Sequence, residues 1–558
     1  MDTRTAAEVE TESPALLPVP GSPEELRRFA ELQRRLAPLF RRAFPDTQAP
    51  QTVVVVPSMT LPAAELDKLT GASHYEERLL CILMLLRRPR THILYVTSQP
   101  LPPCIVDYYL HLLPGVPARH ARERLTLLSC HDDSPLPLTQ KILDRPRLRA
   151  RIRAAIADPA AAHLTCFNPT ALERTLAVQL GIPLYGCDPA LAHLGSKSGS
   201  REVFRRAGVP LPDGFEHLRD ARDVAAALAA LRRRDPGLRR AVVKLNEGFS
   251  GEGNALFDFA GAPAGGGLER WVRGELPARL RFEAPAERWE AFEQKLGGMG
   301  GIVECFLDGA ESSPSVQCRV DPLGDASVIS THDQVLGGPS GQVYLGCTFP
   351  ADEGYRRAVQ DAGMRVAEVL RQEGVIGRFG VDFVARRRPW GWEHAALEIN
   401  LRKGGTTHPY LLLHFLTDGR YDPETGLFLT PTGQACHYYA SDNVQSPAYR
   451  GLTPDDLVDI AVTHGLHFHG ATQQGVMFHM IGALSRHGKL GTVCIADSRE
   501  GAGRLYENLV SVLDREACPA PAAEPPPEPV RAVRPARRRP RVDVAPRRRR
   551  LPARAAAA

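Results

Sequence analysis

The chain lacks any Cys-x-x-Cys pair; its eleven cysteines are scattered through 558 residues. That excludes a cysteine-rich zinc module and a small disulfide scaffold, and makes a reducing cytoplasm the expected compartment. No apolar run reaches the ~18 residues a spanning helix needs, so no membrane partner is expected. The longest run, Leu79–Leu86 (LLCILMLL), is framed by Arg78 and Arg87 and reads as a core helix or strand. The N-terminus is acidic and without the apolar stretch of a signal peptide. Aromatics are only 6% of the chain, so the cores rest on Leu, Val, Ile and Ala. Lysine is scarce as well. Of 69 basic side chains only seven are lysine: Lys68, Lys141, Lys197, Lys244, Lys295, Lys403 and Lys489. In so arginine-rich a chain, each lysine is a candidate for a specific role.

The net charge of +5 belongs to one end. Residues 519–558 carry eleven arginines and three acids, which leaves the preceding 518 residues mildly acidic. This Pro/Ala/Arg-rich tail, taken as 516–558, and the Pro/Ser/Glu-rich leader, 1–20, are expected to be disordered. No groove-reading helix or stacking aromatic motif accompanies the tail, so nucleic acid is not an expected partner.

Ser22-Pro23-Glu24-Glu25 is a helix start with a capping-box pattern, expected to open one helix to about Phe44. Val53–Val56 and His92–Thr97 read as buried strands separated by helical patterns. This alternation predicts an α/β domain with a parallel sheet over 21–190. From 191 to 418 the strands follow one another closely, as in an α+β fold of antiparallel hairpins: Ala241–Leu245, Gly253–Phe259, Gly301–Leu307, Ser315–Val320, Ala326–Thr331, Gly377–Ala385 and Ala395–Leu401. A smaller α+β segment, 419–515, contains a helix near Pro454–Thr463 and a hairpin from Val476 to Ala496.

Four elements carry chemistry. In Leu397-Glu398-Ile399-Asn400-Leu401-Arg402, strict alternation puts Glu398, Asn400 and Arg402 on one strand face and the apolar residues in the core. Phe379–Phe383 alternates too, and a hairpin centred on Trp390 sets Asp382 across from Glu398. Two carboxylates and an amide oxygen on one face suit Mg²⁺ carrying nucleotide phosphates. Arg402, on the same face, is suited to a carboxylate or to developing negative charge. The second element is a strand that delivers Lys244 into a glycine loop, Gly248-Phe249-Ser250-Gly251-Glu252-Gly253, whose backbone N–H groups can approach phosphate oxygens. It is not a Walker A loop. Third, Gly195–Arg201 places Lys197 at a helix start, where the macrodipole opposes it and an anion would favour it. Fourth, Ile302–Glu311 buries Glu304 inside an apolar strand, where an unpaired carboxylate is costly.

Taken in order, these elements resemble the ATP-grasp superfamily. Within it the chain is most similar to the pheganomycin-type peptide ligases, through HDQVLGGPSGQVYLGCTFPA (His332–Ala351), RFGVDFVA (Arg378–Ala385) and Gly465–Ser498. The resemblance implies two subdomains clamping ATP, preceded by an α/β domain and followed by a small α+β one. It implies that Lys197 and Lys244 contact the phosphates and that Gly248, Ser250, Gly251 and Gly253 cover them. It assigns the adenine hinge to Glu304, Cys305 and Leu307, the ribose to Glu311, and Mg²⁺ to Asp382, Glu398 and Asn400, with Mn²⁺ as a substitute. Arg402 and Arg378 are the implied catalytic arginines. The implied reaction is amide formation between a small-molecule or peptide carboxylate and an amine, through an acyl phosphate, with release of ADP and phosphate. A homodimer is compatible with the resemblance. The competing readings are an ATP-grasp phosphotransferase or carboxylase, and a nucleic-acid-associated protein acting through its tail. No biotin-carrier signature supports a biotin-dependent carboxylase. The local histidines His464, His467, His469, His479 and His487 have no acid or cysteine at matching spacing and read as structural or substrate-facing.

Overall fold

Four consecutive valines, β-branched and apolar, form the core of the strand Gln51–Val56, buried on both faces. In the computed structural model this strand lies inside a four-stranded parallel sheet, in the order Leu125–Ser129, Thr91–Thr97, Gln51–Val56, Ala162–Cys166. Successive side chains point to opposite faces. Val54, Val56, Leu94 and Val96 therefore pack with Phe29 and Leu176 in one core. Val53, Val55, Ile93 and Tyr95 pack in another with Leu79, Leu83 and Leu86 of the helical segment Ala72–Arg87. The structure describes residues 17–248, 253–284, 287–337 and 343–517. Ser250 and Gly251, the centre of the His332–Ala351 motif, nearly all of the leader and nearly all of the tail lie outside the described residues.

The expected single helix from Ser22 is two, Pro23–Gln33 and Leu36–Ala43. Ser22 caps the first by accepting from the Glu25 N–H, as its pattern requires. Glu25 reaches past Ser22 to the Gly21 N–H at 2.8 Å and is fully buried, because Thr175 and Arg174 of the helix Ala171–Leu180 also donate to it.

A five-stranded antiparallel sheet follows, in the order Gly214–Leu218, Gly301–Cys305, Arg240–Leu245, Asn254–Asp258, Arg281–Phe282. The helices Ala221–Arg234, Leu268–Arg279 and Trp289–Met299 supply its core. Gly301–Cys305 does not pair with Pro314–Val320, its neighbour in sequence. Between them the chain crosses to a larger sheet, of ten strands among the described residues. That sheet begins Gly391–Asn400, Gly377–Arg388, Pro314–Val320, Ala326–Gly337, Val343–Phe349, Ala435–Gln445, so the segment after residue 418 extends it. Gly475–His479 and Lys489–Ala496 pair as a hairpin on Ala435–Gln445, and the helix is Pro454–Thr463. Apolar residues of this segment, such as Tyr438, Phe478 and Leu513, share one core with Phe415 and with Leu83 and Tyr109 of the N-terminal domain. The architecture is thus an α/β domain, a two-lobed α+β unit and an α+β extension. Among the described residues no helix is long and apolar enough to cross a membrane.

The helix Arg356–Gln372 covers the large sheet, and its close approach depends on Gly363. A Cβ there would lie 2.6 Å from Val316 Cγ1 and 3.1 Å from its Cβ. Gly363→Val is expected to destabilise the fold by about 1–3 kcal/mol through overpacking. Met364→Ala, on the exposed side of the same turn, is expected to stay within about 0.5 kcal/mol. Chemical denaturation of the two variants checks the difference.

Candidate active site

The floor of the site is the hairpin Gly377–Arg388/Gly391–Asn400, in which Asp382 stands directly across from Glu398. The pairing reaches that register by an unexpected route. From Arg388↔Gly391 to Phe383↔Ala396 it is centred between Pro389 and Trp390, and a bulge beside Asp382 then absorbs one residue, Leu397. The bulge turns Leu397, expected in the core, into the wall of the cleft, while Ile399 stays buried.

The Asn400 amide donates to Asp382 Oδ2 at 2.9 Å and to Glu398 Oε1 at 3.3 Å, and the Gln334 amide donates to Asp382 Oδ1 at 3.0 Å. Asn400 Oδ1 accepts from Arg402 at 3.0 Å. Burial and the charge of Glu398 raise the Asp382 carboxyl well above the usual range. Burial acts on Glu398 in the same direction, but its ion pair with Lys197 holds it low. Two adjacent carboxylates, one paired with Lys197 and the other held by the Asn400 and Gln334 amides and the Ser315 hydroxyl, form a hard-oxygen donor set that a divalent cation would stabilise.

The other lobe faces this floor with Lys244, from the strand Arg240–Leu245. Lys244 is paired with Glu304 of the adjacent strand. Glu304 also accepts from Arg201 Nη1 at 2.9 Å, and Arg201 pairs with Glu216 as well. The buried carboxylate of Glu304 is therefore committed to two cations, and its side chain positions Lys244. Arg201 carried no local signal in the sequence, yet it is almost fully buried. Asn246 ties the strand end to the helix Lys197–Arg206, accepting from both the N–H and Oγ of Ser198.

A cleft of about 930 Å³ between the lobes is lined by Lys197, Lys244, Gly248, Glu304, Cys305, Leu307, Glu311, Asp382, Glu398, Asn400 and Arg402. Gly253, with φ +87°, closes the turn by accepting from the Leu245 N–H. Burial raises the Cys305 thiol, so this cysteine is a poor nucleophile. Arg378 is elsewhere. It shares a strand face with Asp382 but lies four residues away, about 13 Å along the strand. It lines a second, mainly apolar cavity with Tyr185, Cys187 and Leu411, which Arg402 borders as well. Sequence reasoning also missed Gln334 and, beyond singling out Lys489 as one of the few lysines, the far end of the cleft, where Tyr75, Arg78, Asn443 and Lys489 stand. The histidine group divides. His464 pairs with Glu516, whereas His479 is buried against His408 and Asp442.

A mixed sheet-and-helix clamp of two lobes, with lysines from one side and carboxylates from the other, is the ATP-grasp arrangement. Residues 189–263 and 278–423 match the family model described as "IQCH-like, ATP-grasp", and residues 456–509 match "PGM1 C-terminal domain". The chain is 33% identical over 469 residues to the L-propargylglycine--L-glutamate ligase of Streptantibioticus cattleyicolor, covering 82% of this chain and 93% of that one. It is 23% identical to the IQ motif-containing protein H of Danio rerio, over 88% of this chain and 51% of that protein. Among solved structures, the biotin carboxylase of Campylobacter jejuni aligns with a TM-score of 0.49 at 13% identity, over 84% of this chain and 96% of that one. The chain belongs to the ATP-grasp family that includes the propargylglycine–glutamate ligase.

Removing one partner of a buried ion pair leaves an uncompensated charge, at a cost of about 3–5 kcal/mol. Arg201→Ala is expected to lower stability by that order, since it strips one cation from both Glu304 and Glu216. Urea unfolding of the variant checks it, and a loss below about 1 kcal/mol would contradict the role given to Arg201.

Proposed function

We propose that the protein is an ATP-dependent carboxylate–amine ligase that joins small-molecule or peptide substrates of the amino-acid type. The observation that carries this reading is the single cleft in which Lys197 and Lys244 face the Asp382–Glu398 pair, in a chain of this ligase family. A carboxylate oxygen of the acid attacks the γ-phosphorus of ATP, the bond to the β-phosphate oxygen breaks, and ADP leaves. The amine nitrogen of the second substrate then attacks the acyl carbon, the bond to the phosphate oxygen breaks, and the nitrogen proton is lost as phosphate departs. No side-chain nucleophile is needed, so catalysis is positioning and charge neutralisation.

The residues of the cleft fit those demands. Lys244 and Lys197 hold phosphate oxygens beside Gly248 and Gly253. The backbone at Cys305 and Leu307 borders the adenine and Glu311 the ribose. Asp382 and Glu398, with Asn400, hold Mg²⁺ or Mn²⁺, which when bound neutralises charge on the phosphates. Lys197 changes partner as the nucleotide enters, from Glu398 to a phosphate oxygen, so that neither carboxylate nor lysine is left uncompensated. Arg402, anchored by Asn400, faces the transferring group.

The test is release of ADP and phosphate from Mg-ATP with pooled amino acids and short peptides. Release that requires both an acid and an amine, and that falls by roughly 10²-fold or more in kcat for Glu398→Gln, is the expected outcome. A stable phosphorylated product without an amine would establish a phosphotransferase instead, and bicarbonate consumption a carboxylase. Deleting residues 519–558 is expected to leave turnover within about twofold; loss of turnover on that deletion would give the basic tail a part in the reaction.

A further inference from the structure

Away from the carboxylate floor, three side chains from three separate elements converge on one point. His408 comes from the helix Thr407–Thr417, Asp442 from the strand Ala435–Gln445 and His479 from the end of the strand Gly475–His479. His408 Nε2 and His479 Nε2 lie 2.9 and 2.7 Å from the same carboxylate oxygen, Asp442 Oδ1, and 3.1 Å from each other. All three side chains are buried. The close fit depends on a glycine. Gly491 stands opposite His479 in the hairpin, and a Cβ there would sit 2.1 Å from His479 Nε2.

Protons alone do not satisfy this triangle. Asp442 pairs with Arg78, whose Nη1 lies 3.2 Å from its other oxygen. If both Nε2 atoms carry hydrogen, each donates to Oδ1, but the two N–H groups then oppose each other at 3.1 Å. If one Nε2 is an acceptor from the other ring, its lone pair faces the carboxylate oxygen instead. One of the three contacts is repulsive either way. The Nδ1 atoms of both rings have no partner among the described residues, so nothing on the far side dictates either tautomer. A cation accepts all three lone pairs at once.

We propose that His408, Asp442 and His479 form a site for a divalent transition metal, separate from the hard-cation site at Asp382 and Glu398. Two imidazoles and one carboxylate suit Zn²⁺ or a neighbouring first-row ion better than Mg²⁺ or Ca²⁺. Bond lengths of about 2.0–2.2 Å in tetrahedral geometry separate ligand atoms by about 3.3 Å, so the three separations need to open by about 0.2–0.6 Å. Arg78 completes the surroundings, since a ligating carboxylate is commonly hydrogen-bonded from outside. Asp442 also lines the cleft, which leaves the fourth position to water or a substrate atom on that side. The ion would tie the helix that follows the carboxylate hairpin to the C-terminal strands.

The site is tested on the full chain, without a histidine tag and without ATP, by elemental analysis after gel filtration. About one equivalent of a first-row metal per chain is expected, both in the wild type and in Glu398→Gln, and less than about a tenth in His408→Ala and in His479→Ala. Because either variant could fail to fold, the wild type is also stripped with a chelator and titrated with Co²⁺. One-to-one binding with visible ligand-field bands and a raised midpoint of thermal unfolding is the expected result. Absence of both native metal and Co²⁺ binding would overturn the proposal, as would metal that persists in folded variants. The readout is independent of turnover, so its failure leaves the ligase reading untouched.

Discussion

The helix Lys197–Arg206 ties the two lobes together through side chains one turn apart. Lys197 reaches the large sheet at Glu398, while Arg201, four residues on, reaches the small sheet at Glu304 and Glu216. Between them Ser200 Oγ accepts from the Ile399 N–H at 3.0 Å. Residues at i and i+4 lie on the same side of a helix, so one short element can present cations to both walls of a cleft. The spacing of those walls, and with it the distance from Lys244 to Asp382, follows from this brace.

The brace also explains how so polar a cleft is buried. An unpaired carboxylate in the interior is costly, and four of the five acids that line the cleft have arrangements that avoid that cost, Asp442 through its pair with Arg78. Glu304 lies between Arg201 and Lys244, Glu398 pairs with Lys197, and Glu311 is exposed. Asp382 receives the Asn400 and Gln334 amides and the Ser315 hydroxyl, and its carboxyl is raised, first by burial and then by Glu398. The imbalance sits where a phosphate-bound cation would be needed, on the floor opposite Lys244.

The carboxylate floor was legible because its signal is local. Alternation at Asp382 and Glu398, with a turn between, specifies which side chains share a face, and the register differs from that reading only through the bulge at Leu397. The parallel strands and the helix Pro454–Thr463 were legible for the same reason. What escaped was set by distant partners. Glu304 was visible as a buried acid, but Arg201 is 103 residues away. Arg378 lies in phase with Asp382, yet strand phase gives a face and not a place along it, and its position belongs to another cavity. His479 was noticed beside the wrong histidines, because His408 and Asp442 reach it from other elements. The strands Val343–Phe349 and Ala435–Gln445 lacked clear boundaries in sequence and owe their place to pairing with each other.

The cleft is assembled from two kinds of material. One end, with Lys197, Lys244, Asp382 and Glu398, comes from the stretch that matches the ATP-grasp model. Its far end comes from segments outside that stretch, sewn together by long-range contacts. Arg78 is stacked between the rings of Tyr75 and Phe167 and paired with Asp442, Lys489 donates to the Tyr75 hydroxyl at 2.9 Å, and Tyr109 donates to the Phe478 carbonyl. A cation held rigid between two aromatic faces and presented to a cleft is suited to recognising a carboxylate. Phosphoryl chemistry constrains the first end for any acid and any amine, whereas nothing in the chemistry fixes the second. This end of the cleft, around Tyr75, Arg78, Asn443 and Lys489, is where the N-terminal domain meets the C-terminal strands.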